Sequence, residues 1–293
     1  MRTRHLLLAL TLSLPFSPIA SALSEFGIEG MGVVSTRADE NRATLSADGQ
    51  RIIWASNREG GAGGWDLWQA TLQDKRWMEP QPLAVNSAAD EVDPFLSTDG
   101  RWLYFASNRK GGHGGFDLYR AALRDDGGFG PAQNLGPAIN GADHERSPAV
   151  HDQDGSLLLA SDRAGGAGGW DLWRAHRTGD GFTAPRPMTG LNDASDEFDG
   201  AWLAGGRAVV FARGNGNGGA QLQLSHCRHG RWSAAQPLAL SFNSAEGDTR
   251  AALVDASTPG ELLVSGHARA PRAGGFDLYR MRAPASDGSG DCR

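Results

Sequence analysis

Five acidic residues recur at one position of a repeated phrase, and they are the first residues in the chain that could do chemistry. In four copies the acid lies five residues after an asparagine, and in the first copy it lies five residues after a serine. The five acids are Glu40, Glu91, Glu145, Glu197 and Asp248. If they converge, they repel one another unless a cation or basic neighbours compensate. The pattern predicts a site for calcium or an amine-bearing ligand or, in a second interpretation, side chains that cap their own loops.

Residues that occur in a single repeat form a second group of candidates, since a ligand site has to break the repeat symmetry. The candidates of this kind are Asp93, His113, Asp199 and Arg250. A single histidine on a glycine-rich turn is more often simply solvated. No nucleophile or base stands out, and no residue is predicted to be catalytic.

Arginine and aspartate recur with a fixed offset of eight residues around each glycine-rich turn. The pairs are Arg58 with Asp66, Arg109 with Asp117, Arg163 with Asp171, and Arg269 with Asp277. Half-buried carboxylates and guanidinium groups are tolerated mainly when they are paired. We therefore predict that each pair is a structural ion pair that clamps the turn.

Several common catalytic and metal-binding motifs do not occur in the sequence. There is no G-x-S-x-G elbow and no H-E-x-x-H pair, and the glycine-rich turns lack the G-K-[ST] of a phosphate loop. Segment 152–155 begins like a calcium loop but runs into an apolar strand without a distal glutamate. His226, Cys227 and His229 lack a further ligand, so no metal site is predicted there, and calcium at the five acids is the one cofactor considered.

The elements that position these residues repeat along the chain. The distance from Asp66 to Asp117 is 51 residues, and from Asp117 to Asp171 it is 54. Each period contains a strand before an Asp-Gly turn, two apolar strands flanking the glycine-rich turn, and a proline-containing edge strand. Four antiparallel strands per period predict the blade of a β-propeller. The sequence thus predicts an all-β fold, a single five-bladed propeller over residues 23–284.

The last two repeats depart from the pattern. In the fourth, Gln221 stands where the others have aspartate, so we expect this blade, without the ion pair, to be the loosest. The fifth stops after three strands. Segment 26–35 has the spacing of a fourth strand, so we predict that it completes the fifth blade and closes the ring.

Both ends of the chain lie outside this repeat. Arg2 and Arg4 precede an apolar stretch and a small-residue triplet at 20–22, which is typical of a secretory signal peptide spanning residues 1–22. No later stretch reaches the roughly 18 apolar residues that span a bilayer, so no membrane insertion is predicted. Residues 285–293 form a polar tail. We expect a periplasmic or secreted monomer.

The net charge limits the classes of partner that the protein can bind, and the two cysteines allow one disulfide. The formal net charge of −6 becomes −8 when the leader is removed, because it contains two arginines and no acid. An acidic surface argues against nucleic acid and anionic membranes as partners. Cys227 and Cys292 either form a disulfide that pins the tail to the fourth repeat or remain as two thiols.

The repeated phrase resembles that of a known family. An Asp-Gly hairpin, an apolar strand, S-N-R-x-G-G-x-G-G and D-L-[WY] are similar to the TolB-like, WD-repeat-like β-propeller repeats of exported bacterial proteins. The clearest copy of the glycine-rich phrase runs from Ser107 to Tyr119, and the resemblance covers nearly all of residues 23–284. It implies a periplasmic or cell-surface propeller that serves as a docking platform.

We therefore expect a non-catalytic exported propeller that binds an envelope protein or glycan across the face carrying the glycine-rich turns. The alternative is a glycan-active enzyme, a glycoside hydrolase or lyase, that uses carboxylates in the central funnel. Two carboxylates roughly 5 to 10 Å apart in an open cleft would favour the enzyme. A plugged channel would disfavour it.

Overall fold

A computed structural model describes residues 25–289 and residue 292, and within these ranges the chain forms a five-bladed β-propeller. The predicted leader, residues 1–22, lies outside the described residues. No helix in the described part of the chain is long and apolar enough to cross a membrane. The predicted fold class is confirmed.

Each blade is an antiparallel sheet whose first strand lies nearest the central axis. Blade 1 contains β2 (Glu40–Leu45), β3 (Arg51–Ser56), β4 (Asp66–Gln73) and β5 (Arg76–Pro82). Blade 2 contains β6 (Glu91–Leu96), β7 (Trp102–Ser107), β8 (Asp117–Ala122) and β9 (Gln133–Asn134). Blade 3 contains β10 (Glu145–Val150), β11 (Leu157–Ser161), β12 (Asp171–Ala175) and β15 (Arg186–Pro187), with a small hairpin of β13 (Arg177–Thr178) and β14 (Gly181–Phe182).

The remaining blades differ at their outer edges. Blade 4 contains β16 (Glu197–Leu203), β17 (Ala208–Gly214) and β18 (Ala220–Arg228), and two short segments, β19 (Arg231–Trp232) and β20 (Gln236–Pro237), both pair with β18. Blade 5 contains β21 (Thr249–Val254), β22 (Glu261–Gly266) and β23 (Asp277–Arg282), and its fourth strand is β1 (Glu25–Ile28). The N-terminal strand therefore closes the ring, as predicted.

Apolar strands from neighbouring blades pack face to face and form the core. The second strands of the blades are largely buried, because both of their faces are covered. Where the ring closes, Leu263 and Leu278 of blade 5 pack in one cluster with Ile52 and Trp54 of blade 1. The junction between chain ends is thus as apolar as the others.

A disulfide fastens the tail to the outer part of blade 4. Cys227 in β18 is bonded to Cys292, which is 65 positions further along the chain. The Ser289 amide donates to the Cys227 carbonyl at 2.7 Å, and Arg174 of blade 3 donates to the Cys292 carbonyl at 2.9 Å. The tail therefore joins blades 3 and 4, at the blade predicted to be loosest.

All five innermost strands contain a β-bulge near the same position. The pairing register shifts after the second residue of β2, β6, β10, β16 and β21. The third residue of each strand has a positive φ, between 44° and 57°. These five residues are Arg42, Asp93, Ser147, Asp199 and Ala251. A bulge changes the direction of the side chains next to it, and a positive φ is uncommon for a residue other than glycine. The residues at the five bulges are therefore candidate functional residues around the axis.

Candidate functional site

Four of the five repeated acids lie inside the blades. Glu40, Glu91, Glu145 and Glu197 each begin an innermost strand and are fully buried. Glu91 accepts hydrogen bonds from the Ser87 amide and hydroxyl, both at 2.6 Å, and from the Ser107 hydroxyl at 2.7 Å. This geometry corresponds to the loop-capping interpretation.

Each of these glutamates also forms an ion pair with an arginine. For the first three blades, the sequence predicted instead that the arginines pair with the aspartates of the glycine-rich turns. Arg58 pairs with Glu40 at 3.1 Å, Arg109 with Glu91 at 3.0 Å, and Arg163 with Glu145 at 2.8 Å. In blade 4, Arg213 pairs with Glu197 at 2.8 Å. Each guanidinium thus compensates its own glutamate.

The predicted pairing of these arginines with the aspartates of the glycine-rich turns is wrong. Those aspartates accept backbone amides of the turn: Asp66 from Gly63, Asp117 from His113, Asp171 from Ala167, and Asp277 from Ala273. Peptide N–H groups within the turn satisfy the carboxylate, which leaves the arginines Arg58, Arg109 and Arg163 to reach across to the glutamates. Arg269 is exposed.

The fifth repeated acid belongs to a different set. The structural equivalent of the four glutamates in blade 5 is Thr249, because it begins β21 and pairs with Gly266 as Glu91 pairs with Ser107. Asp248 instead belongs to a set of residues that accept the amide of the residue ending the neighbouring glycine-rich turn. The members of this set are Asp39, Asp90, His144, Asp196 and Asp248. The five predicted acids therefore do not form one ring.

The bulges build two rings of side chains around the axis. The upper ring consists of the second residues of the innermost strands: Asn41, Val92, Arg146, Phe198 and Arg250. The lower ring consists of the residues with positive φ: Arg42, Asp93, Ser147, Asp199 and Ala251. Their residue types differ from blade to blade, so these rings break the five-fold repeat.

The lower ring closes the channel with a charged network. Arg146 binds Asp93 through two nitrogens, at 2.9 and 3.2 Å. The Ser147 hydroxyl donates to Asp199 at 2.6 Å, and Arg42 lies 3.5 Å from the same carboxylate. All four charged groups therefore have an opposite charge nearby, which is the condition under which buried charges are tolerated.

Electrostatics in this network follow from burial and pairing. Burial alone would raise the pKa of Asp93, but the charges of Arg146 and Arg42 outweigh it and lower that pKa below its ordinary value. Burial lowers the pKa of Arg42, which is fully buried. Asp93 is thus held as a carboxylate in the floor of the funnel.

A cavity of about 230 Å³ opens above this floor. We call it the funnel cavity, and it is lined by Asn41, Arg146, Ser147, Trp170, Asp196, Phe198, Asp199 and Arg250. Two carboxylates, Asp196 and Asp199, therefore share one cavity with two aromatic rings and two guanidinium groups. The channel is plugged below the funnel cavity, which taken alone disfavours an enzyme, but the mouth is open and two carboxylates line the same cleft.

Of the single-repeat candidates, the structure brings three to the funnel. Asp199 and Arg250 line the funnel cavity, and Asp93 lies in its floor. His113 is exposed on the glycine-rich turn of blade 2, where its backbone amide donates to Asp117. Sequence reasoning missed Asn41, Ser147, Trp170, Asp196 and Phe198 as wall residues. In the sequence, the two residues after each of the four repeated glutamates vary in type from blade to blade, while the residues around them repeat. This variation indicates part of the cavity wall.

Comparison with solved structures finds propellers of the same kind. A GH62 α-L-arabinofuranosidase catalytic domain from Coprinopsis cinerea is 13% identical, with a TM-score of 0.57 over 92% of this chain and 99% of that one. An α-L-arabinofuranosidase from Lactobacillus brevis is 12% identical, with a TM-score of 0.60 over 88% and 93%. TolB from Acinetobacter baumannii is 10% identical, with a TM-score of 0.53 over 90% and 64%. No protein-family model and no curated protein matches the sequence.

These likenesses show the propeller fold, and they support the TolB resemblance to that extent. They also correct the expected function. We expected a non-catalytic binding platform, but the similar structures include arabinofuranosidases, so the glycan-active alternative is the better supported of the two. The identities are low, so what the funnel does has to be argued from its own residues.

Proposed function

We propose that the funnel cavity is the active site of a glycan-active enzyme that hydrolyses a glycosidic bond. One observation carries the proposal: Asp196 and Asp199 face the same cavity, beside Trp170 and Phe198. Hydrolysis of a glycoside needs a pair of carboxyl groups on either side of the bond. Aromatic rings supply an apolar wall against which the C–H face of a sugar packs.

The environments of the two carboxylates suit different roles. Asp199 is 3% exposed and is held in place by the Ser147 hydroxyl at 2.6 Å and by Arg42 at 3.5 Å, so it is the proposed base or nucleophile. Asp196 is exposed at the rim, where one oxygen accepts the Trp170 amide at 2.9 Å. It is the proposed acid, because at the rim it lies on the side of the cavity from which the leaving group departs to solvent.

In the proposed reaction, Asp196 gives its proton to the glycosidic oxygen as the bond to the anomeric carbon breaks. Asp199 then either removes a proton from the attacking water or bonds to the anomeric carbon before water replaces it. Arg146 and Arg250, on the cavity wall, donate to sugar hydroxyl oxygens and fix the ring.

The size of the funnel cavity favours a chain end as substrate. Its volume of about 230 Å³ is below the range of roughly 300 to 1,000 Å³ for sites that hold drug-sized ligands. The floor of Arg42, Asp93 and Ser147 prevents a polymer from passing through. We propose that a terminal sugar enters the cavity, in an exported monomeric protein that meets envelope or extracellular glycans.

Glycoside hydrolysis by residues 23–293 tests the proposal. The substrates are nitrophenyl glycosides of pentoses and hexoses together with arabinan and arabinoxylan, and the readouts are released nitrophenol and reducing ends. We expect Asp199→Asn to lower kcat by about a thousandfold or more, and Asp196→Asn to lower it most on poor leaving groups. Both substitutions keep a hydrogen-bond acceptor of the same shape.

Asp39→Asn is the matched control. Asp39 accepts the Phe276 amide at 2.9 Å, as Asp196 accepts that of Trp170, but it does not line the funnel cavity. We expect it to retain full activity, with melting temperatures verifying that all variants fold. Hydrolysis that persists in Asp199→Asn, or no hydrolysis of any substrate by the wild type, would overturn the proposal.

A further inference from the structure

Blade 3 departs from the other blades at one position of the glycine-turn face. The residue that accepts the amide of the neighbouring turn is aspartate in four cases and His144 in the fifth. The backbone at this position is the same, since the His144 amide donates to the Asp162 side chain as the Asp90 amide donates to that of Asn108. An imidazole has thus replaced a carboxylate without a change in the local fold.

The exchange removes a negative charge and inserts a ring between two others. The His144 ring lies 6.0 Å from the Phe116 ring and 5.9 Å from the Trp170 ring, centre to centre. The two interplanar angles are 38° and 37°. Trp170 lines the funnel cavity, and Arg146, which also lines it, lies 5.2 Å from the Phe116 ring, so the three partly buried rings form a continuous row beside the mouth of the cavity, from blade 3 to blade 2. We call this row the aromatic track.

The hydrogen bond that His144 accepts determines which of its ring nitrogens carries the proton. The Phe116 amide donates to Nδ1 at 3.0 Å, and an amide can only donate, so Nδ1 is the acceptor and the neutral ring carries its proton on Nε2. A neutral imidazole with an N–H donor presents both an apolar face and a polar edge. Sugars present the same combination, with C–H faces and hydroxyl edges.

We propose that the aromatic track binds the sugar units next to the one in the funnel cavity, so that the substrate is an oligosaccharide or polysaccharide rather than a small glycoside. This inference rests on the proposed function, since it assigns the neighbouring units of the same substrate. Stacking on the track anchors the chain, and the funnel cavity holds its terminal unit. Blade 3 is the blade at which the chain leaves the funnel.

Binding of oligosaccharides of increasing length tests the track separately from catalysis. The probes are arabino- and xylo-oligosaccharides from monosaccharide to pentasaccharide, titrated by calorimetry into the Asp199→Asn protein so that nothing is hydrolysed. We compare that protein with the same protein carrying His144→Asn, which keeps an acceptor for the Phe116 amide but lacks the ring. We expect the affinity for the longer probes to fall roughly threefold to tenfold, and that for the monosaccharide to stay unchanged.

Asp90→Asn is the matched control, because Asp90 accepts the Trp65 amide at 2.9 Å in the same manner. It should leave the length dependence of the affinity intact. A second variant, His144→Phe, restores a ring without the acceptor and should recover part of the affinity for long probes. Equal affinities of the parent and His144→Asn for every length would overturn the track while leaving the proposed hydrolysis standing. A length effect that His144→Asn abolishes, in a protein that hydrolyses nothing, would support the track and overturn the proposed function.

Discussion

At the scale of single residues, this propeller separates charges that hold the scaffold from charges that face the funnel. The repeated arginines and glutamates are pairs within each of the first four blades, while the charges of the two rings vary from blade to blade. The sequence identified both kinds of residue but not the pairing. Each arginine can reach an aspartate eight residues later, across the turn, or a glutamate about eighteen residues earlier, across two strands. Both pairings are sterically possible, and which one forms depends on how the strands are arranged in the folded blade.

The pairing can be measured with two double-mutant cycles. Arg109 binds Glu91 at 3.0 Å, whereas Asp117 accepts the His113 amide at 2.6 Å and the Asn134 side chain at 2.8 Å. We expect Arg109→Met and Glu91→Gln to be non-additive in the free energy of unfolding, with a coupling of about 1 to 3 kcal/mol. Arg109→Met and Asp117→Asn should be additive within about 0.5 kcal/mol. The reverse result would restore the pairing predicted from sequence.

Glu197 of blade 4 predicts a pH dependence of stability. Burial raises its pKa from the ordinary 4.5 to about 7, and hydrogen bonds from the Asp193 amide and Arg213 only partly oppose this. Burial also raises the pKa values of Glu40 and Glu145, which accept hydroxyl hydrogen bonds from Ser56 and Ser161 at 3.2 and 3.3 Å. In blade 4 the corresponding strand position is Arg213.

The sign of the effect follows from proton binding. Between about pH 4.5 and 7 the folded protein keeps the Glu197 proton and the unfolded chain loses it, so stability falls as the pH rises through this window. Glu197→Gln removes the contribution of this residue and leaves those of Glu40 and Glu145. We expect its free energy of unfolding, relative to the wild type, to rise by about 2 kcal/mol from pH 5 to pH 8 in urea unfolding. A constant difference between the two proteins would contradict this account.

At the scale of elements, the strands were predictable and the bulges were not. Asp-Gly turns, apolar runs and glycine-rich turns fix where strands begin and end, so the blades followed from the repeat. A bulge is an extra residue in the pairing, and the residues it displaces, such as Asn41 and Phe198, share no type. The funnel wall is built from such residues, which is why most of it was missed.

Substitution of Ser35, in the N-terminal segment that completes blade 5, tests how the ring is closed. In the first four blades an asparagine side chain accepts an amide of the third strand, as Asn86 accepts that of Leu67 at 3.0 Å. In blade 5 the buried Ser35 hydroxyl accepts the Leu278 amide at 3.1 Å. We expect Ser35→Ala to cost about 1 to 3 kcal/mol in the free energy of unfolding, because the amide loses its acceptor.

The control for this substitution is Ser46→Ala, at a partly buried serine in the Asp-Gly turn of blade 1. It should cost less than Ser35→Ala, since water can replace the hydroxyl in this turn. Equal melting temperatures for Ser35→Ala and the wild type would mean that the N-terminal segment does not depend on this hydrogen bond for its position in blade 5.

At the scale of the whole molecule, the network in the funnel floor joins blades that are not neighbours in the ring. Arg42 of blade 1 donates to the Pro148 carbonyl of blade 3 at 3.0 Å and lies 3.5 Å from Asp199 of blade 4. Adjacent blades contact one another through apolar clusters and a few hydrogen bonds, such as that from the Leu96 amide to the Thr44 hydroxyl at 3.1 Å. The arginine adds a connection across the ring, and the same group lies beside Asp199 in the proposed active site.

Replacing Arg42 should therefore affect the whole ring as well as the funnel. In Arg42→Met the guanidinium is gone, the Asp199 carboxylate is left buried without its cation, and the Pro148 carbonyl loses its donor. The expected loss is about 3 to 5 kcal/mol in the free energy of unfolding, with a single cooperative transition. Adding Asp199→Asn removes the unpaired charge and should recover part of that loss.

Arg101→Met is the control, because the Arg101–Asp99 pair is exposed and such pairs are worth about 0 to 1 kcal/mol. If Arg42→Met were no more destabilising than Arg101→Met, the axis would be a solvated channel rather than a structural connection.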